Sequence, residues 1–178
     1  MLDSKKYYIC HVYECLEEQP CILVHLSSIK YEYWGQRYYY GWYHTNANHK
    51  IAVLLDKHPK IYEILKYYKD GYNLIPRKER YRNIYMSLEL LVDDIELPFR
   101  AIRHSISHSR NKLTNPKVRK YLMNNFGDVK INLNKYSHNN QFQKILRQIG
   151  EKVELILVKK ILDMIPENVN YDSGYYVI

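Results

Sequence analysis

The sequence predicts a mainly α-helical protein: a helical bundle preceded by a tyrosine-rich segment that suits short β-strands. Two observations carry the helices. Tyr81, Ile84, Tyr85, Leu88, Leu91, Val92 and Ile95 recur at three- and four-residue spacing, which places them on one helix face. The same rhythm runs through Phe142, Ile145, Leu146, Ile149, Val153, Ile156, Leu157, Ile161 and Ile165 until Pro166. Apolar stripes of this period pack helix on helix. The strands rest on a third observation. Residues 5–45 are rich in Tyr, Ile, Val and Cys, and β-branched and aromatic side chains suit a pleated surface.

In chain order, KKYYICHVYECL and CILVHLSSIKYEYW read as short strands, although a helical reading of either fits as well. QRYYYGWYHTNANHK then sets five aromatics within six residues around Gly41. Such rings either stack on unpaired bases or close a core with a polar tip at its edge, the second use being commoner. In HPKIYEILKYYKDG, Pro59 suits a first helical turn and Gly71 a C-terminal cap. The Tyr81–Ile95 stripe is expected to end or kink at Pro98. With 178 residues, the chain suggests one domain with a small appended element. The expected divisions are an N-terminal extension over 1–45, the bundle over 46–166 and a tail over 167–178.

Three cysteines, Cys10, Cys15 and Cys21, make an odd count without zinc-ribbon spacing. They read as reduced thiols of a cytoplasmic protein. No apolar run approaches the roughly 20 residues of a membrane span, and MLDSKKYY lacks the apolar region of a secretion signal. No membrane partner is expected. The net charge of +8 is unevenly spread. Between Leu97 and Gly150 stand eleven Lys and Arg against one acid, Asp128, so this segment carries +10 and the rest −2. A basic surface gathers polyanions by releasing their condensed counterions, which makes nucleic acid the first partner to consider.

One helix is expected between Pro98 and Pro116. On it Phe99, Ile102, Ile106 and Leu113 fall within about 60° of each other and form a core face. Arg100, His104, Ser107 and Asn111 point the opposite way, with His108 slightly beyond them. His104 and His108, four apart, have the spacing of a metal clasp. The glutamate of zincin-like helices is replaced by Ser105, and no further ligand is evident. No metal and no cofactor are therefore expected. Phosphate chemistry fits better. Arginine offers a planar cationic fork for phosphate oxygens, and histidine takes or gives a proton near neutral pH. An enzyme that uses the 2′-hydroxyl of RNA as nucleophile needs little more than these two groups.

Arg103, four intervening residues and His108 match the R-x4-6-H motif of HEPN-domain ribonucleases, which the chain resembles over roughly residues 50–166. In that family a polar residue typically follows the arginine, as His104 does here. The lead-in MSLELLVDDIELPFRAIRH is also similar. The resemblance implies a HEPN-like helical bundle forming a homodimer, with two motifs meeting across a cleft and cleaving RNA without metal. It further implies a toxin paired with an antitoxin protein, or an antiviral defence role. Some members have lost catalysis and only bind nucleotides or partners. Arg103 would then stabilise the phosphate, His108 would transfer protons and His104 would shape the site. RNA contacts are expected from Arg100, Ser107, Arg110, Asn111, Lys112, Lys117 and Arg119. A regular helix turns about 500° over five residues, so Arg103 and His108 would diverge by roughly 140°. Either the helix breaks near Ser107, or a second set comes from another protomer.

Overall fold

The computed structural model describes residues 7–15, 20–32, 42–73, 76–165 and 175–178. It is mainly helical, with one sheet, and forms two compact units. The first comprises Met1–Leu65 and Glu154–Ile178, the second Lys66–Val153.

The first unit holds the sheet, formed by β1 (Tyr7–Glu14), β2 (Cys21–Glu32), β3 (Trp42–Leu54) and β4 (Tyr175–Val177) in that spatial order. The first three strands pair antiparallel, whereas β4 lies parallel to β3. Of the two readings open for these segments, the extended one is realised over Tyr7–Glu14 and Cys21–Glu32. Pairing of Ile22 with Val53 and of Val24 with Ile51 lines up side chains that are wholly buried. A period of two places Ile22, Val24 and Leu26 on one face. The free edge of β1 is tied to helical residue Glu154, whose carboxylate accepts the Ile9 N–H at 2.8 Å. Residues 45 and 46, where the sequence suggests a division, both lie within β3, and the expected tail ends in β4. The aromatic run up to Gly41 lies outside the described residues.

Cys15 and Cys21 are joined as a disulfide across the β1–β2 connection, with Cα atoms 5.2 Å apart, a separation such a bond accommodates. This corrects the expectation of three reduced thiols. Only Cys10 is free, and it is exposed. The spacing signal fails because strand pairing, not a short local motif, brings these two sulfurs together.

Helices supply the rest. α1 spans Pro59–Asn73, α2 Arg77–Leu91, α3 Leu97–Ser107, α4 Pro116–Phe126 and α5 Tyr136–Met164. No helix among the described residues is long and apolar enough to cross a membrane. α2 stops at Leu91, earlier than its stripe suggests. Val92 is already extended, and Asp93 and Asp94 follow, where carboxylates oppose a helix C-terminus. Ile95 is buried from the connecting segment. Pro98 therefore opens α3 instead of closing α2. α4 is bounded by local chemistry. The Asn115 side chain accepts the N–H groups of Lys117 and Val118, and Gly127 takes the left-handed conformation at φ 68°.

The core of the second unit is built around Tyr81, which is fully buried. Its ring lies 5.5 Å from that of Phe142 and 6.3 Å from that of Tyr85. Its hydroxyl donates to the Phe99 carbonyl at 2.9 Å, which satisfies the one polar atom of a large apolar ring. Leu88, Ile102, Leu122, Ile145 and Ile149 are buried in the same unit.

Gly71 does not cap α1 but lies within its last turn, buried. A Cβ there would sit 2.7 Å from Ile84 Cγ1 and 3.3 Å from the Ile84 backbone nitrogen. The glycine serves close packing of α1 on α2. Gly71→Ala gains about 1 kcal/mol in helix propensity but overpacks the contact at a cost of about 1–3 kcal/mol. A net loss of stability is expected, read as a lower urea midpoint with an unchanged slope.

Candidate active site

α3 buries Phe99, Ala101, Ile102, Ser105 and Ile106 and leaves Arg100, Arg103 and His104 toward its other side. It ends at Ser107. His108 is extended (φ −114°, ψ 152°), though its N–H still donates to the His104 carbonyl. The chain then makes a short 3₁₀ turn over Arg110–Lys112. The single helix expected from Pro98 to Pro116 is thus corrected. Asn111 does not share a helix face with His104, and Leu113 is buried from beyond the turn. Of the two ways to reconcile Arg103 with His108, the break at Ser107 is the one realised, so helix geometry alone does not require a second protomer.

Backbone chemistry explains where the helix stops. The last carbonyls of a helix lack internal partners and carry partial negative charge. Here they receive cations. Lys130 donates to the carbonyls of Ser105 and His108, and Arg82 donates to that of Ile106 at 3.1 Å. The buried Ser105 hydroxyl gives its proton to Val129 O at 3.0 Å and accepts the Ile131 N–H at 2.9 Å. The segment after α4 is thereby laced to the end of α3 through side chain and backbone alike. Asp128, the lone acid of the basic span, accepts the Arg110 guanidinium at 2.6 and 2.8 Å and the Lys130 N–H at 3.1 Å. Its carboxyl is held below the ordinary range chiefly by that backbone N–H, helped by Arg110.

The functional side chains project from this clasped end. The Arg103 guanidinium lies over the Tyr85 ring, 5.8 Å from its centre. The rings of His104 and His108 are 5.3 Å apart and tilted by 38°. Burial lowers the pKa of His104 below the ordinary 6.5, and the positive charges of His108, Arg103 and Arg100 lower it further. His104 is the group that senses all the others. Near neutral pH it is therefore mostly uncharged and able to accept a proton. The Tyr85 phenol is pushed above its ordinary value by burial and Glu89, while Arg103 and Arg100 work the other way. Its location beneath Arg103 has no local sequence signal, because the two lie on different helices.

The remaining candidates scatter. Arg100 is exposed and near enough to act on Tyr85 and His104. Ser107 is a correction: its hydroxyl oxygen is buried and has no hydrogen-bond partner, so it does not face outward. Arg110 is engaged with Asp128. Asn111 and Lys112 are exposed on the 3₁₀ turn. Lys117 and Arg119 are exposed in the first turn of α4, where Arg119 donates to Leu113 O at 3.1 Å. Lys130, Arg82 and Tyr85 are the contributors that periodicity does not reveal. Among the described residues no three His, Cys, Asp or Glu side chains gather as a metal site. No family model matches the chain, and comparisons with curated proteins and with solved structures find no match either.

The depressed pKa of His104 has a sign that can be measured. The unfolded chain, with an ordinary histidine near 6.5, takes up the proton more readily than the folded one. This contribution to stability is complete above pH 6.5 and is lost as pH falls through the lower folded value. His49, depressed by burial, acts in the same direction, so the comparison is between variant and wild type. His104→Gln should flatten the fall of the urea midpoint below pH 6.5. Parallel curves for the two proteins would contradict the assignment.

Proposed function

We propose that the chain is a metal-independent endoribonuclease of the HEPN type, acting as the toxin of a toxin–antitoxin pair or in antiviral defence. One observation carries the reading. Arg103, His104 and His108 share one clasped helix end, with Arg100 near enough to act on His104, and burial followed by the positive charge around it lowers the His104 pKa. The +10 segment supplies the polyanion attraction.

In this reading an RNA phosphate lies against the Arg103 fork, which lies over the Tyr85 ring. The 2′-hydroxyl loses its proton to a histidine and attacks phosphorus, forming the new O–P bond. The bond to the 5′-oxygen breaks, and a proton delivered to that oxygen completes the leaving group. The products are a 2′,3′-cyclic phosphate and a 5′-hydroxyl. His108, outside the helix and exposed, has the freedom to transfer protons, while Arg103 meets the charge that grows on the phosphoryl oxygens. His104 shapes the site between them.

Purified protein is expected to cut single-stranded RNA in excess EDTA and to leave DNA intact, since DNA lacks the 2′-hydroxyl. His108→Ala should slow cleavage by about 10²- to 10⁴-fold. Arg103→Lys, which keeps the charge but loses the fork, should also be impaired. Equal cleavage by all three proteins would reveal a contaminant and defeat the proposal. Retained RNA binding with no cleavage by any would leave a non-catalytic module of this fold.

The homodimer belongs to the same proposal. Light scattering should return twice the 21.6 kDa chain mass, and a monomer at micromolar concentration would count against it.

A further inference from the structure

On the carbonyl side of the α3 terminus stands a second group of cations that the proposed chemistry leaves unused. Lys78 and Arg82 lie four apart on α2, and side chains at that spacing share a helix face. Arg82 and Lys130 converge from different elements on carbonyls 105, 106 and 108, so their charges are held close together. All three side chains are only partly exposed. Glu79 is paired with Arg82 at 3.2 Å, while Asp128, beside the Lys130 backbone, is bound to Arg110. Lys78 has no hydrogen-bond or ion-pair partner among the described residues. The Lys130 ammonium is depressed by burial and by the charges of Lys78 and Arg82.

Three partly buried cations, of which only Arg82 is ion-paired among the described residues, repel one another, and a bound anion would relieve that repulsion. The helix-end carbonyls explain Lys130 and Arg82, because they accept hydrogen bonds from both. They do not explain Lys78. The cluster also touches the backbone of His108 through Lys130, which places it beside the proposed reaction centre. A polynucleotide offers phosphates at regular intervals, so a chain held at Arg103 presents a neighbouring phosphate nearby.

We infer that Lys78, Arg82 and Lys130 form a second phosphate subsite, binding the RNA backbone phosphate next to the one held by Arg103. The inference rests on the proposed ribonuclease reading for its ligand. Within the subsite Lys130 has two roles, fixing the His108 backbone and contributing charge. Lys78 contributes charge alone, which makes it the residue to test.

The experiment uses the full chain and two uncleavable probes: a 2′-O-methyl oligoribonucleotide several nucleotides long, and a 2′-O-methyl dinucleoside monophosphate with one phosphate. Lys78→Gln is compared with wild type and with Lys159→Gln, which removes an exposed charge from the other unit. Melting temperature serves as the folding control. For the longer probe, Lys78→Gln should reduce the slope of log K against log salt by about 0.7 and weaken binding about fivefold at ~0.1 M salt. The single-phosphate probe should bind all three proteins alike, as should the longer probe with Lys159→Gln. Identical slopes for Lys78→Gln and Lys159→Gln overturn the subsite, while cleavage dependent on Arg103 and His108 would still stand. No binding of the longer probe by wild type at low salt also overturns it. A Lys78-dependent slope without any RNA cleavage keeps the subsite and removes the ribonuclease.

Discussion

The end of α3 depends on one electrostatic constraint: carbonyl oxygens that a helix cannot satisfy internally are met by two cations from elsewhere in the fold. Lys130 takes the carbonyls of Ser105 and His108, and Arg82 takes that of Ile106. Cations at a helix C-terminus contribute from about 0.3 to 2 kcal/mol each, depending on burial. Their larger consequence is geometric. They hold the chain where it leaves helical geometry, so that His108 departs from the regular turn while its ring stays 5.3 Å from that of His104. Ser105 adds a buried pair of hydrogen bonds to the same junction, and the segment from Gly127 to Ile131 becomes a fixed strap.

That arrangement concentrates positive charge with little to offset it. Asp128 is spent on Arg110 and on the strap's own backbone. Glu79 answers Arg82. Burial pushes the His104 ring toward its neutral form, and the positive charge that remains around it adds to the effect. A neutral histidine among arginines is poised for an anionic ligand, because a bound phosphate would reverse the field and favour the protonated ring. Tyr85 gives Arg103 a cation–π contact, which attracts the guanidinium without cancelling its charge as a carboxylate would.

The first unit follows a different logic. Its sheet joins sequence-distant strands, with β4 beside β3 and the edge of β1 capped by Glu154. An edge strand with unpaired N–H groups invites association with other chains, and a capping carboxylate answers part of that liability. The Cys15–Cys21 link closes the β1–β2 connection, restricting the unfolded chain at that point.

Much of the helical architecture was legible in the sequence because amphipathic periodicity is a local property. The stripe from Phe142 to Ile165 corresponds to α5, and Phe99, Ile102 and Ile106 are buried as their spacing requires. The concentration of charge around Asp128 was equally plain. Where elements stop was less legible. α2 ends before Asp93, α3 ends at Ser107 and α1 passes through Gly71, since tertiary packing and long-range hydrogen bonds outweigh local preference at helix ends. By itself the sequence determined which residues face the core and which segment carries the charge. Only the tertiary structure decided that Ser107 turns its hydroxyl inward, that Cys15 meets Cys21, and that Lys130, Arg82 and Tyr85 gather at the end of α3. Lys130, Arg82 and Tyr85 lie 18 to 25 residues from the groups they hold, beyond the reach of any helical or strand period.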